Sequence, residues 1–294
     1  MPRPLIEIRS LQYRAGKKLI LEDASLRLDA GETLGLIGRT GAGKTSLLRC
    51  MLGLSFATAG EVLLFGEPAT ALSRANKARL GYVPQSPGLP ASQKVSALLQ
   101  LVASWQPNWQ ADWCAGLLER FRLDAEQRVG SLSVGQQQLL SLVMAIGHKP
   151  ELLVLDEPVA SLDPVTRRDV AATLAELQAD GTSIVFSTHI LSELERLASH
   201  VAVIEDGRIG LHCESDEIRL ALRRWQISSP ADQLLSLAMP AQLDVPGLLR
   251  YRRIDARHAS LLVDTRQGAD SSRMPGLVSE QALNLEDFVV EYLQ

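Results

Sequence analysis

A short apolar run, a glycine-rich loop and an amphipathic segment follow one another in TLGLIGRTGAGKTSLLRCM, residues 33–51. The loop satisfies the pattern G-x-x-x-x-G-K-[ST], with strand-like residues before it and helix-like residues after it, as the pattern requires. Glycines let backbone N–H groups converge on a phosphate, and a helix N-terminus adds the positive end of its dipole. The alternative is a glycine-rich turn that matches by chance. The flanking strand and helix favour an α/β fold that binds a nucleotide.

Individual residues of this loop have distinct expected roles. Lys44 supplies a point charge to the β- and γ-phosphates, and the Thr45 hydroxyl can ligate Mg²⁺. The glycines give the backbone room to approach the phosphates. The residues predicted to bind the nucleotide here are Gly38, Gly41, Gly43, Lys44, Thr45 and Ser46.

A pair of carboxylates follows the apolar run LLVL at residues 152–155. Such a run suits a buried parallel strand, and ligands of open α/β sheets bind at the carboxyl ends of strands. We expect Asp156 to hold Mg²⁺, through water, and Glu157 to polarise the attacking water. The alternative is an acidic turn of no function. His189 ends another apolar run, residues 183–188, which should lie beside the strand of the phosphate loop. The other four histidines are predicted to be surface residues.

Composition limits the classes of partner. The net charge of -4 gives no basic excess, so a nucleic-acid partner is not expected. Three widely separated cysteines argue against a disulfide framework and favour a reduced, cytoplasmic setting. The N-terminal residues do not resemble a signal peptide, and no stretch reaches the roughly 18 apolar residues of a membrane span. We therefore expect any role at a membrane to depend on a partner.

In this order the motifs resemble those of the ATP-binding cassette (ABC) ATPases, over roughly residues 5–211. GRTGAGKT is similar to Walker A, LLVLDE to Walker B, and SLD, which contains Asp163, to the D-loop. In GYVPQ, Gln85 corresponds to the Q-loop glutamine, which implies a ligand for Mg²⁺ and water. His189 corresponds to the switch histidine. Tyr13 corresponds to the aromatic residue that stacks on adenine, a role consistent with ordinary aromatic–base stacking.

The stretch LSVGQ, residues 132–136, resembles the family's signature motif LSGGQ. Ser133, Gly135 and Gln136 match, whereas Val134 departs from the usual glycine. The resemblance implies that the serine hydroxyl and the Gly135 N–H approach the γ-phosphate of a nucleotide held by another subunit. The helix that follows would aim its positive end at that phosphate. Ser133 is also a good helix cap, and the two roles are compatible.

The resemblance implies a P-loop NTPase fold of the ABC ATPase type. This fold is α/β, with a mixed central sheet, an N-terminal antiparallel β layer and an inserted helical subdomain, here about residues 86–150. The cassette is predicted to span residues 1–211. Residues 212–294 are predicted to form a small α+β accessory subdomain. Its segment SDEIRLALRRWQI suits a helix or a strand, and NLEDFVVEYLQ reads as an amphipathic helix that Asn284 caps.

The leading interpretation is the ATP-hydrolysing subunit of a membrane ABC transporter, with ATP and Mg²⁺ as cofactors. Its implied partners are a permease in separate chains and a second cassette, identical or not, at the cytoplasmic face of the membrane. The C-terminal extension resembles those of the exporter-type branch of the family, and this resemblance favours export over import. One alternative is a soluble ABC-type ATPase that acts on nucleic acid or ribosomes. Another is a module that binds ATP without hydrolysis and regulates a partner. The transported substrate stays open.

Overall fold

The computed structural model describes residues 4–188, 197–228, 245–255 and 257–293. The strands are β1 (Ile6–Ala15), β2 (Lys18–Leu28), β3 (Thr33–Ile37), β4 (Ala59–Leu64), β5 (Glu67–Pro68), β6 (Leu80–Val83), β7 (Leu152–Asp156), β8 (Ser183–Ser187), β9 (His200–Glu205), β10 (Arg208–Glu214), β11 (Leu222–Ser228), β12 (Leu248–Arg253), β13 (His258–Asp264) and β14 (Leu277–Ala282). The helices of the described residues are α1 (Lys44–Met51), α2 (Arg74–Lys77), α3 (Val95–Ala103), α4 (Ala111–Arg120), α5 (Val134–Ile146), α6 (Pro164–Ala179), α7 (Ser215–Ala221) and α8 (Leu285–Leu293). The chain divides into two compact units, Met1–His212 and Cys213–Gln294.

The strand that leads into the phosphate loop lies inside a six-stranded sheet of order β10-β9-β3-β8-β7-β6. Strand β3 is parallel to β8 and β9, and β7 is parallel to β8 and β6. Every residue of β3, β7 and β8 is buried, as expected for parallel strands covered on both faces. Parallel register brings the carboxyl ends of these strands to one edge, where Leu36 pairs with Ser187 and Ser187 with Asp156.

A second sheet of the first unit is antiparallel, with the order β2-β1-β4-β5. One buried apolar cluster joins this sheet to the first through α1, since it includes Ile6 of β1, Leu47 and Leu48 of α1, and Leu36 of β3. The helix of the phosphate loop is therefore fixed from both sides. The predicted ABC ATPase fold is confirmed, including its N-terminal antiparallel layer.

Helices α3, α4 and α5 lie between β6 and β7 in the chain. The spacing of Leu139, Leu140, Val143 and Ile146 predicts one apolar stripe on α5, and all four are buried. No helix of the described residues is both long and apolar enough to cross a membrane.

In its described residues, the second unit has an antiparallel sheet of order β12-β13-β11-β14 and the α-helices α7 and α8. The segment that suited a helix or a strand contains both, because α7 ends at Ala221 and β11 begins at Leu222. The terminal helix begins as predicted, with the Asn284 side chain accepting a hydrogen bond from the Asp287 N–H at 2.6 Å. This unit is α+β, as the fold prediction requires.

One histidine contradicts the sequence analysis. His148 is only 4% exposed, so its prediction as a surface residue is wrong. It follows α5 directly, and its two ring nitrogens have no hydrogen bond of normal geometry within the described residues. Burial lowers the pKa of His148, and an interaction with the Leu80 backbone offsets only part of that effect. The ring is therefore neutral in the folded protein near neutral pH.

The buried ring should make the stability of the first unit depend on pH. Because the pKa of His148 is lower in the folded state, the unfolded chain takes up a proton first as the pH falls below about 6.5. The free energy of unfolding should then fall by up to about 1.4 kcal/mol for each pH unit. Denaturant unfolding between pH 7.5 and 5 measures this. His148→Leu should reduce the pH dependence, because it removes the buried ring. An unchanged slope in His148→Leu would contradict the prediction.

Candidate nucleotide site

The phosphate loop joins the end of β3 to the start of α1 at the carboxyl edge of the six-stranded sheet. Gly43, at the N-cap of α1, has a φ of 110°, a conformation open to glycine and strained for other residues. A Cβ on Gly38 would lie 2.5 Å from the Ile204 carbonyl oxygen, so this glycine is required by a close backbone approach. Gly43 is therefore favoured by its backbone conformation, and Gly38 by the lack of space for a side chain.

The N-terminus of α1 offers its backbone N–H groups to a ligand. Among the described residues no side chain caps this helix, and its first turn has no acidic residue. By contrast, Ser133 caps α5 and Asp163 caps α6. Uncapped N–H groups and the positive end of the helix dipole form a site for an anion. Thr45 and Ser46 lie in this first turn, where Thr45 is exposed and Ser46 half-buried.

The Lys44 ammonium lies over the loop. Its Nζ donates hydrogen bonds to the carbonyl oxygens of Gly38 at 2.7 Å and Arg39 at 3.3 Å. Burial lowers the pKa of Lys44, while the charges of Glu157 and Asp156 act in the opposite direction. The lysine and the two carboxylates of β7 therefore share one electrostatic environment.

The carboxylate pair takes two different surroundings. Asp156, at the end of β7, is 1% exposed, and its Oδ1 accepts a hydrogen bond from the Ser187 hydroxyl at 2.6 Å. Glu157, the next residue, has a φ of 48°, and its N–H donates to the Ser187 hydroxyl oxygen at 3.0 Å. The Glu157 Oε2 accepts a hydrogen bond from Gln85 Nε2 at 3.3 Å. The left-handed turn thus directs the second carboxylate toward the exposed glutamine.

The residues present fit a divalent cation at this edge. The Asp156 Oδ2 is buried and has no hydrogen-bond partner within the described residues. A buried carboxylate oxygen without a donor is a suitable ligand for Mg²⁺ or for a water that Mg²⁺ holds. The sequence predicts two further oxygen ligands for the same cation, the hydroxyl of Thr45 and the amide oxygen of Gln85.

The signature turn begins α5 with a capping box. The Ser133 hydroxyl oxygen accepts from the Gln136 N–H at 3.2 Å, and the Gln136 side chain accepts from the Ser133 N–H at 2.9 Å. A serine hydroxyl that accepts a hydrogen bond still has its own proton to donate. Capping therefore leaves Ser133 able to donate to a phosphate oxygen. Val134, the departure from the motif, is 68% exposed.

Gly135 packs closely against the D-loop of its own chain. A Cβ added to it would lie 3.1 Å from both the Ser161 carbonyl oxygen and Leu162 Cδ2. Asp163, at the end of this loop, accepts hydrogen bonds from the Val165 and Thr166 N–H groups and thus caps α6. The Thr166 hydroxyl also donates to Asp163, which lowers the pKa of this aspartate.

The remaining predicted residues are less informative. Tyr13 is half-buried on β1 and packs against the apolar cluster that contains α1. The Gly41 φ of 84° places it in the left-handed region within the loop. His189 lies outside the described residues; the strand before it, β8, lies beside β3 as expected.

Sequence reasoning missed two residues of the site. Ser187 bonds both the Asp156 carboxylate and the Glu157 N–H. Gln138, which is buried, donates from Nε2 to the Pro84 carbonyl oxygen at 3.2 Å and so ties α5 to the residue before Gln85. The sequence does contain a signal for Gln138, because this third glutamine of QQQ lies on the apolar side of an amphipathic helix. Ser187 has no such signal.

Comparison with known proteins assigns the chain to a family. Residues 21–160 match the ABC transporter family. A Nod factor export ATP-binding protein I from Burkholderia lata is 38% identical over 213 residues, which cover 71% of this chain and 70% of that protein. This chain belongs to the ABC transporter family. Bacitracin transport ATP-binding protein BcrA from Enterococcus faecalis is 31% identical over 224 residues, covering 75% of this chain and 73% of that protein.

Solved structures agree with the assignment. An ATP-binding subunit of an ABC transporter covers 74% of this chain and 92% of its own, with a TM-score of 0.68 and 28% identity. A dimeric ATP-binding cassette bound to ADP and phosphate has a TM-score of 0.64 and 21% identity over 71% of this chain and 98% of its own, which shows a shared fold. This ABC protein is a transporter ATPase, which binds ATP and hydrolyses it to ADP and phosphate.

Proposed function

We propose that this ABC ATPase drives export through a permease in separate chains, and that its reaction uses the residues of the carboxyl sheet edge. The observation that carries the residue assignment is the convergence of Lys44, Asp156 and Glu157. Their charges act on one another at the end of β7, beside the uncapped N-terminus of α1. A buried cation, two carboxylates and free helix N–H groups are what a bound triphosphate requires.

In this proposal Lys44 and the first turn of α1 bind the β- and γ-phosphates, and Tyr13 stacks on the adenine. Glu157 accepts a proton from the attacking water, which Gln85 helps to orient through its contact with that carboxylate. Asp156, Thr45 and Gln85 would hold Mg²⁺, which neutralises charge on the phosphates as the bond breaks. His189 remains the proposed switch residue.

Gln85 tests the water-orienting part of the proposal. Gln85→Ala should lower the ATPase rate about tenfold, the scale of one lost hydrogen bond, and retain most of the affinity for ATP, because Lys44 and the first turn of α1 still bind the phosphates. The loss should not exceed about tenfold, because Glu157 remains able to accept the proton from the water. Steady-state phosphate release and titration with a fluorescent ATP analogue measure the two quantities. Gln137→Ala, which removes a side chain that bonds the carbonyl oxygens of its own turn, is the control. A Gln85→Ala enzyme of normal rate would exclude this role.

We also propose that the chain works as a dimer, in which Ser133, Gly135 and Gln136 of one protomer complete the nucleotide site of the other. Asp163 and the D-loop would lie at the same interface. The Ser133 hydroxyl proton and the exposed start of α5 support this, since both can address a phosphate outside the chain. The dimeric cassette among the structures of the same fold agrees with it. Both a homodimer and a heterodimer with a second cassette are compatible with this arrangement of the two sites.

A permease requires a surface on the cassette. A cavity of about 760 Å³ lies between α2 and the end of α3, and its lining includes Arg74, Lys77, Trp105 and Pro107. Trp105, which follows α3, is 67% exposed, and Leu101, on α3, is 47% exposed. We propose that a cytoplasmic segment of the permease occupies this cavity. Aromatic residues and arginine are enriched in protein interfaces relative to the rest of the surface.

The direction of transport is proposed from relatives. The Burkholderia lata protein is named for Nod factor export and the Enterococcus faecalis protein for bacitracin transport. The chain divides into two compact units after His212. We therefore propose that residues 212–294 form an accessory subdomain added to the cassette, and that the cassette lies at the cytoplasmic face of the membrane.

Co-purification tests the transporter assignment. The tagged chain, isolated from detergent-solubilised membranes, should recover a protein with several membrane spans. The double variant Lys77→Glu/Trp105→Ala should lose most of that protein while it binds ATP normally. Lys17→Glu, the same charge reversal at the exposed turn between β1 and β2, should retain it. Recovery of ribosomes or nucleic acid without a membrane protein would overturn the proposal.

A further inference from the structure

Ser187 is the last residue of β8, and its side chain is 0% exposed inside the six-stranded sheet. Strand β8 lies between β3 and β7, so Ser187 pairs with Leu36 on one side and with Asp156 on the other. The three residues before it in the strand, Ile184 to Phe186, are apolar and buried. A hydroxyl in such surroundings is costly unless it is hydrogen-bonded. The hydrogen bonds of Ser187 therefore indicate what this residue does.

The Ser187 hydroxyl forms a hydrogen bond with each of two successive residues. It donates to Asp156 Oδ1 at 2.6 Å and accepts from the Glu157 N–H at 3.0 Å. The directions follow from chemistry, because an ionised carboxylate can only accept and a backbone N–H can only donate. Donation to Asp156 orients the hydroxyl so that its oxygen lone pairs remain for the Glu157 N–H. One side chain thus connects the two carboxylate residues of β7.

The bond to the Glu157 N–H stabilises an unfavourable turn. The Glu157 φ of 48° is left-handed, a conformation that a non-glycine residue keeps only where its surroundings hold it. The same N–H also donates to the Ser187 carbonyl oxygen at 3.2 Å, so the hydroxyl and the backbone of one residue both hold the turn. This turn directs the Glu157 carboxylate toward Gln85, whose Nε2 lies 3.3 Å from Oε2.

The bond to Asp156 fixes a carboxylate that is itself buried. Asp156 is 1% exposed, and rotation of its side chain would break the hydrogen bond and leave two buried polar groups unpaired. Partners that hydrogen-bond a metal ligand in this way orient it, and their loss typically costs about 10–100-fold in metal affinity or activity. The same range applies to Ser187 if Asp156 serves the metal.

We propose that Ser187 is a positioning residue that holds Asp156 and Glu157 in one fixed arrangement for hydrolysis. Its hydroxyl acts through the two carboxylates and does not itself contact the nucleotide. The inference rests on the proposed function, in which Glu157 accepts the proton from water and Asp156 holds Mg²⁺. It assigns part of the reaction to β8, a strand separate from the one that carries the carboxylates.

The rate of hydrolysis tests the proposal first. Ser187→Ala should lower kcat about tenfold and leave binding of ATP without metal unchanged. Ser183→Ala is the matched control, because Ser183 begins the same strand, is 1% exposed and accepts a hydrogen bond from the Gly31 N–H at 2.7 Å. It should retain the wild-type kcat. A wild-type kcat in Ser187→Ala, or an equal loss in the two variants, overturns the proposal.

A double variant shows whether the loss passes through Glu157. At saturating ATP and Mg²⁺, Ser187→Ala in a Glu157→Gln background should lower the residual rate less than about threefold, because the group that it positions no longer accepts a proton. A full tenfold loss in that background contradicts the positioning role. If Glu157→Gln alone keeps the wild-type rate, the proposed function fails instead, and the two failures are distinguishable.

Binding of a fluorescent ATP analogue gives a readout that does not depend on turnover. Affinities in EDTA should be equal in wild type, Ser187→Ala and Asp156→Asn, because none of these changes alters Lys44 or the first turn of α1. Mg²⁺ should tighten binding to wild type, and both variants should lose most of that gain. No loss in Asp156→Asn would remove Asp156 from the proposed function. A loss in Asp156→Asn alone would leave that function intact and overturn the role of Ser187.

Conservative variants separate the hydroxyl from the packing of the strand. Ser187→Thr keeps the hydroxyl on a side chain that suits a β-strand, and it should restore kcat and the effect of Mg²⁺ to near wild type. If its extra methyl group prevents folding, Ser187→Cys, with a weaker donor, should give a kcat between those of Ser187→Ala and wild type. A folded variant of either kind that is as slow as Ser187→Ala would show that the hydrogen bonds of the hydroxyl do not set the rate, and would overturn the proposal.

Discussion

Glu157→Gln is expected to slow ATP hydrolysis at least ~100-fold, the scale of a lost general base, while ATP binding is retained. The amide has the size of the carboxylate and can keep a hydrogen bond with Gln85, but it cannot accept a proton from water. Lys44 and the N-terminus of α1, which are proposed to bind the phosphates, are unchanged by the substitution. Phosphate release at saturating ATP measures the rate, and a fluorescent ATP analogue measures binding.

The same variant should accumulate an ATP-stabilised dimer, visible as a shift in size-exclusion chromatography. Glu151→Gln is the matched control, since Glu151 precedes the same strand β7 and pairs with Arg79 at 2.5 Å. It should hydrolyse ATP normally. If Glu157→Gln also hydrolyses ATP at the wild-type rate, Glu157 has no part in the reaction.

Two inactive variants should restore activity when they are mixed. In a Lys44→Ala homodimer both sites lack the phosphate lysine, and in a Ser133→Arg homodimer both have a bulky charge where the γ-phosphate would dock. Each should be nearly inactive. In the mixed dimer one site combines both defects, while the other joins an intact phosphate loop to an intact signature turn. Measurable ATPase activity should therefore return, with subunit exchange confirmed independently.

This experiment separates the two roles of Ser133. Recovery would be hard to explain if its only role were the capping box that it forms with Gln136. Tight coupling of the two sites would also suppress recovery, so a mixed dimer of Glu157→Gln and wild type is the control. If that control dimer hydrolyses ATP and the first mixture does not, the signature turn does not act on the partner's nucleotide.

The sequence predicted the cassette because its signals are local. The apolar runs before Gly38 and Asp156 are buried parallel strands, since β-sheet burial on both faces leaves a continuous apolar run in the sequence. The capping role of Ser133 could also be anticipated, because capping depends on residues three positions apart. Ser187 could not, because its place depends on the register of β7 with β8, and register is not local.

Burial of a polar residue was the main error. His148 directly follows α5, a position that is often exposed, and nothing in its neighbours marks it as buried. Its ring is enclosed through tertiary packing rather than through periodicity. The switch from helix to strand at Ala221 and Leu222 was left open for a related reason. No glycine or proline separates the two elements, and only the pairing of β11 with β13 and β14 distinguishes them.

In the proposed mechanism, Glu157 combines a catalytic role with an unfavourable backbone conformation. With a φ of 48° it occupies the left-handed region, which costs a non-glycine residue on the order of 1–2 kcal/mol. Glycine or asparagine would suit that backbone better, so selection for folding alone would replace this glutamate. A related protein that no longer hydrolysed ATP would gain stability by replacing this glutamate. In the proposed mechanism, the glutamate at position 157 is therefore retained because the enzyme uses it, at a cost in stability.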